Sequence, residues 1–282
     1  MALIIKDSRI VGTIDNLEDK LVGKIPVTRE ELLVLVKSWG KIDSNNGDIE
    51  NIGSCYDLSR LDVSQITDMS YIFSYSGFNG DVSNWNTSNV TNMQGMFSRA
   101  IEFNQPLNFD TSSVTSMESM FCYASAFNQP LNNWNTSNVT DMSFMFYNTR
   151  KFNQELKFDT SKVTDMYGMF CNARVFNQPL NFNTSNVTNM EWMFYDAITF
   201  NQNINTWNTS NVTNMNWMFY SVEAFQDKYN SGKELPYYTN EIKDWINNNR
   251  DKMNAIDIKD KHGEEVDDFF SKFSNKEFSK EI

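Results

Sequence analysis

Histidine occurs once in these 282 residues, at His262, so a Ser-His or Cys-His catalytic pair has no base anywhere else in the chain. Basic charge is also scarce: 24 Lys and Arg stand against 36 Asp and Glu, a formal net charge of −12. There is no basic run and no region of net positive charge, which argues against nucleic acid and anionic membrane surfaces as partners. No apolar run approaches the roughly 20 residues of a membrane span, so none is expected. The amino terminus carries only a short apolar run before Lys6 and supplies no secretory signal. The three cysteines, Cys55, Cys122 and Cys171, show no metal-ligand spacing. Cys122 and Cys171 share one repeat position two units apart, about 10 Å at the spacing of adjacent strands and beyond disulfide reach. Free thiols fit an intracellular chain. The expected location is intracellular or virion-associated, with surface display left open.

Set against these absences is a repeat. The stretch NTSNVTNMQGMF at 86–97 returns as DTSSVTSMESMF, NTSNVTDMSFMF, DTSKVTDMYGMF, NTSNVTNMEWMF and NTSNVTNMNWMF, with a looser first copy, DVSQITDMSYIF, at 62–73. The Val or Ile of each copy (Ile66, Val90, Val114, Val139, Val163, Val187, Val212) advances by 24 or 25 residues. Self-similarity at this period indicates a stacked array in which each unit needs its neighbours to bury an apolar face. Three regions follow: an N-terminal cap over 1–61, a seven-unit array over 62–225, and a C-terminal cap helix with a charged tail over 226–282.

In the first region, LII and RIVGTI read as short strands. Thr28 with Glu31 forms a capping box opening a helix over about 28–39, with Leu32, Leu35, Val36 and Trp39 at helical spacing. Residues 49–61 read as a degenerate first coil. After Phe225 the pattern stops, and helices are expected over 240–248 and 263–278, the first as a cap.

Each array unit has three parts. F-N-Q-P-L-N plus an aromatic suggests a short strand, D/N-T-S a turn, and V-T-x-M-x-x-M-F-x-x-A a brief strand leading into a helical turn, although strand and helix are both open for V-T-x-M. Where the aromatic is Trp (Trp85, Trp134, Trp207) it lies seven residues after the preceding Phe, and where it is Phe it lies six after, so the Trp coils are expected to carry a bulge. The paired Met columns read as core filling rather than a soft-metal site. The Asn column through Asn104, Asn128, Asn153, Asn177 and Asn201 reads as structural amides bridging coils. The Asp/Asn column from Asp62 to Asn208 reads as turn caps rather than Ca²⁺ ligands, because Asn dominates it. No metal, no cofactor and no catalytic residues are expected.

The units FNQPLNNWNTSNVTDMSFMFYNT and their siblings resemble the BspA-like branch of the leucine-rich-repeat superfamily, found in mycoplasma and other bacterial surface proteins and in some large DNA viruses. The resemblance covers about 60% of the chain. It implies a leucine-rich-repeat-like right-handed solenoid, with short strands plus a helical turn per coil, that binds other macromolecules, often in adhesion or host contact.

One column varies while the others stay constant: Tyr71, Gly95, Ser119, Phe144, Gly168, Trp192, Trp217. Variation in a monotonous repeat marks solvent exposure, and exposed aromatics favour recognition. Phe144, Tyr167, Trp192 and Trp217 are therefore the candidate binding residues. The competing reading packs Trp192 and Trp217 under the C-terminal segment. The function expected is a non-enzymatic interaction scaffold for a protein partner. The alternative is a structural or adhesive surface or virion component involved in host contact.

Overall fold

A computed structural model describes residues 24, 26–37 and 58–222 in full, and 2–6, 9–14, 25, 41–42 and 49–50 as backbone elements. The helices expected over 240–248 and 263–278, and Trp39, lie outside the described residues.

The N-terminal region begins with β1 (Ala2–Lys6) and β2 (Arg9–Ile14), an antiparallel pair. β3 (Ile25–Pro26) precedes α1 (Arg29–Lys37), and β4 (Lys41–Ile42) pairs with β5 (Ile49–Glu50). The capping box at the start of α1 is reciprocal. The Thr28 amide donates to Glu31 Oε2 (2.8 Å), and the Glu31 amide donates to Thr28 Oγ1 (3.2 Å). Leu32, Leu35 and Val36 turn inward and join one continuous core with Val63, Ile66 and Met69 of the first array unit. β3 also pairs in parallel with β6 (Leu61–Asp62), which feeds directly into the array.

From there each unit lies on the one before it. Single parallel bridges run Asp68, Asn92, Ser116, Asp141, Asp165, Asn189, Asn214, one per unit. Around each bridge one backbone bond runs backward, as from the Thr91 amide to the Thr67 carbonyl, and the others run forward. In the second unit the amides of Met93, Gly95, Phe97 and Arg99 donate forward to the carbonyls of Ser116, Glu118, Met120 and Cys122. The carbonyls of Asn92, Gln94, Met96 and Ser98 accept from the preceding unit. These alternate peptide groups thus point the same way along the stack, and their dipoles add as they do in a helix. At the first unit the carbonyl end of this column meets Arg29. Its Nε donates to the Asp68 carbonyl (3.1 Å), and its Nη2 donates to the Ser70 carbonyl (2.8 Å). A cation on the negative end, satisfying carbonyls that have no earlier unit to bond, is the physically required cap.

Inside the stack two phenylalanine columns run side by side. Phe97 and Phe103 of one unit lie 4.1 Å apart, and Phe97 meets Phe121 of the next unit at 5.7 Å with rings tilted by only 3°. The Met and Val columns are fully buried around them.

The local backbone departs from expectation in the third part of the unit. No helix is present there. The segment is a run of turns closed by Met96 N–H to Met93 O, Ala100 N–H to Phe97 O, and Phe103 N–H to Ala100 O. The i, i+3 spacing that suggests a helix also results when successive turns place one apolar residue at each corner. In two of these turns the third residue has positive φ, as type II turns require: Gly95 (57°) and Arg99 (59°). Every unit repeats this pair of left-handed residues four apart, from Tyr71 and Tyr75 to Trp217 and Ser221.

The F-N-Q-P-L-N part is likewise not a strand. Pro106, Pro130 and Pro179 have no amide to donate. The Asn128 and Asn153 amides bond to the side-chain oxygens of Asn104 and Asn128 instead of to a backbone neighbour. The extra residue of the tryptophan units makes a turn rather than a bulge, closed by Trp134 N–H to Leu131 O (3.1 Å). The Trp134 indole then donates to the Leu107 carbonyl of the unit before (3.2 Å), and Trp85 and Trp207 do the same to Leu58 and Leu180.

Candidate binding face

The variable column is one of the two left-handed columns, and this changes what its variation means. An L residue with a side chain costs about 1–2 kcal/mol in that conformation, and β-branched residues fit it worst. Neither left-handed column contains a Val, Ile or Thr. Within that limit a second rule operates between neighbours. A Cβ at Gly95 would stand 2.2 Å from the ring of Tyr71, and one at Gly168 would stand 2.6 Å from the ring of Phe144. Each aromatic ring therefore lies over the next unit's backbone, and glycine makes room for it. The column varies because of packing between coils as well as contact with solvent.

Full exposure of this column is accordingly corrected. Phe144, Tyr167 and Trp217 are half-buried, and Trp192 is buried. Phe144 meets Tyr167 edge-on at 4.5 Å, and Tyr167 meets Trp192 at 5.4 Å, so three of the four candidates touch in sequence along the stack. Trp217 packs edge-on against Tyr220 (5.3 Å). Whether the C-terminal segment covers the two tryptophans lies outside the described residues.

The structure adds aromatics that the sequence reading passed over. In the column after M-F stand Tyr147, Tyr195 and Tyr220, with Cys122 and Cys171 between and beside them. Cys122, Tyr147 and Cys171 form a small apolar cluster of their own, packed by Tyr123, Phe144 and Tyr195. Tyr195 and Tyr220 stack at 4.9 Å. This column also varies from unit to unit, so tabulating every variable column would have revealed it. Burial pushes the Cys122 thiol up to about 12 and raises Cys171 well above its ordinary value, which leaves both as unreactive thiols.

The charges flanking the row are mainly acidic. The amide of Tyr167 donates to Asp165 Oδ1 (2.8 Å), and Asn214 Nδ2 donates to Glu191 Oε2 (2.7 Å). Burial, followed by the neighbouring Asp141 charge, raises the Asp165 carboxyl against the pull of its hydrogen bonds. Burial and the Asp165 charge raise Glu191 in the same way. Burial raises the Tyr167 phenol, and Glu191, Cys171 and Asp165 raise it further.

The remaining repeated polar residues serve the stack. Asn104, Asn128, Asn153 and Asn177 each accept the amide of the next Asn, and Asn86, Asp110, Asn135, Asp159, Asn183 and Asn208 cap their own turns two residues on. Thr87, Thr111, Thr136, Thr160 and Thr184, all buried, donate to the next unit's carbonyl. No helix among the described residues is long and apolar enough to cross a membrane.

A family model described as "Mycoplasma protein of unknown function, DUF285" matches residues 48–157 and again 156–277, so the chain belongs to that family. No curated protein and no solved structure matches it.

Proposed function

We propose, taking membership of that family as the premise, that this chain is a non-enzymatic interaction scaffold of the BspA-like leucine-rich-repeat kind. In this reading the stack is a right-handed solenoid that holds its left-handed outer columns toward a protein partner. The observation that carries it is the contiguous aromatic row Phe144–Tyr167–Trp192, seated on a backbone held rigid by unit-to-unit hydrogen bonds. Half-buried Phe144 and Tyr167, backed by buried Trp192 on a stiff support, lose little conformational freedom on binding, which is the composition expected of a binding hot spot. The thiols are raised by burial, and the carboxylates act as turn caps or amide acceptors, so the chemistry of the face suits contact rather than turnover.

The test is affinity purification of the full chain from the cells that make it, beside a Tyr167→Ala variant, with the co-purifying species identified. A defined protein retained by the wild type and reduced at least about tenfold by the variant supports the reading. Equal recovery with both would overturn it. Recovery in a surface or particle fraction would favour the adhesive or virion alternative over an intracellular scaffold.

A further inference from the structure

We infer that the part of this face centred on Tyr167 receives an arginine side chain of the partner protein, an inference that rests on the scaffold reading above. The same face already holds an arginine of its own. The Arg99 guanidinium lies 5.1 Å from the ring centre of Tyr75 in the unit before and 4.3 Å from that of Tyr123 in the unit after. The spacing of the units thus lets a flat cation contact aromatic rings of the units on either side of it.

Farther along the same face the rings continue and the residues around them change. Phe144, Tyr167 and Trp192 follow one another, while the column that supplied Arg99 carries Asn148, Asn172 and Asp196. Carboxylates stand beside Tyr167, whose amide bonds to Asp165 Oδ1 (2.8 Å). Asp165 and Glu191 both bear on Tyr167, and Asp141 bears on Asp165. The side-chain donors facing Asp165 and Glu191 are the neutral amides of Asn189 (3.5 Å) and Asn214 (2.7 Å). Among the described residues no ion pair involves Asp141, Asp165 or Glu191. Of the five basic side chains between Asp141 and Glu191, four are engaged elsewhere, Arg174 with Asp196, Lys157 with Glu155, Lys162 with Asn138 and Arg150 with Asn148, and Lys151 is exposed.

Aromatic faces beside crowded carboxylates suit a guanidinium better than any other side chain. It stacks flat on rings, forms paired hydrogen bonds to a carboxylate, and sheds water more readily than an ammonium. An acidic segment would be repelled, and a neutral one would leave the carboxylates uncompensated.

The test measures fluorescence anisotropy of labelled Gly-Ser peptides bearing three arginines, three lysines, or three citrullines, titrated with the full chain. Citrulline keeps the shape of arginine and removes its charge. The arginine peptide should bind at least about tenfold more tightly than the citrulline peptide and more tightly than the lysine peptide, with the preference falling at high salt. The double variant Asp165→Asn/Glu191→Gln keeps one acceptor oxygen in each side chain, for the Tyr167 amide and for Asn214, gives up only the long contact from Asn189, and should lose about tenfold for the arginine peptide. Asp110→Asn/Asp159→Asn makes the same change in charge within the turn caps and should stay within about twofold. Equal binding of arginine and citrulline peptides, or an equal loss in the control variant, would overturn the arginine reading. If Tyr167→Ala still loses the cellular partner in that case, the scaffold reading survives alone. Unchanged partner recovery with Tyr167→Ala overturns both, whatever the peptides do.

Discussion

Phe144 and Phe146 lie two residues apart in one unit and obey different rules. Phe146 is fully buried, stacked nearly parallel between Phe121 at 5.8 Å and Phe170 at 5.6 Å, with Phe152 of its own unit at 4.2 Å. Phe144 sits on left-handed backbone, half-buried, edge-on to Tyr147 and Tyr167. In the two inner phenylalanine columns each ring stacks on a copy of itself in the next unit, so one residue type satisfies every unit. On the outer side the requirement is only a residue that tolerates positive φ and a neighbour that leaves it room. Uniformity inside and variety outside therefore follow from one backbone.

The comparison breaks first at Phe146. Phe146→Ala opens a cavity in the stacked core and should lower unfolding free energy by about 3–5 kcal/mol in urea titration. Phe144→Gly loses ring contacts but relieves left-handed strain, and should stay within about 1 kcal/mol of wild type. Equal losses would erase the distinction between the two sides.

A smaller effect is expected at the polar bridge between units. Asn153 Oδ1 accepts the Asn177 amide (2.9 Å) and Gln178 Nε2 (3.2 Å). Asn153→Ala should cost about 1–3 kcal/mol by leaving that amide unpaired. Asn148 has a φ of 54°, so Asn148→Gly should be neutral or slightly stabilising, whereas Asn148→Ala would add strain. A matching loss in Asn153→Ala and Asn148→Gly would deny the bridge its role.

The last test sharpens the outer rule. Gly168→Ala places a Cβ both at positive φ and against the Phe144 ring, and should cost about 1–2 kcal/mol from the backbone alone. In a Phe144→Gly background the steric part should vanish while the backbone part remains. A non-additive cycle of that sign supports ring-over-glycine packing, and strict additivity would contradict it.

Much of the molecule could be read from local pattern. The 24- or 25-residue step reappears as hydrogen bonds between residues that far apart, such as Thr115 N–H to Thr91 O and Thr140 N–H to Thr115 O. The inward set, Val90, Met93, Met96, Phe97 and Ala100, is buried as its spacing suggests. The capping box of Thr28 and Glu31 and the turn caps at Asp110 and Asn135 also form. These features depend on residues within a few positions of one another, or on one pattern repeated. The expected helical turn is a chain of turns instead, because three-residue spacing is common to both and carries no sign of φ.

By itself, then, the sequence determined the period, the inward columns and the caps, because each is set by neighbours along the chain. Only the tertiary structure decided that Arg29 closes the carbonyl end of the stack, 39 residues from its partner Asp68. It also decided that glycine in one unit answers an aromatic in the unit before, and that Tyr167 gathers Phe144, Trp192 and two carboxylates around it. Apart from Asp165, which is two residues from Tyr167, those relations join residues about one unit or more apart along the chain. They exist only once the coils are laid on each other, when peptide polarity and ring size acquire neighbours to meet.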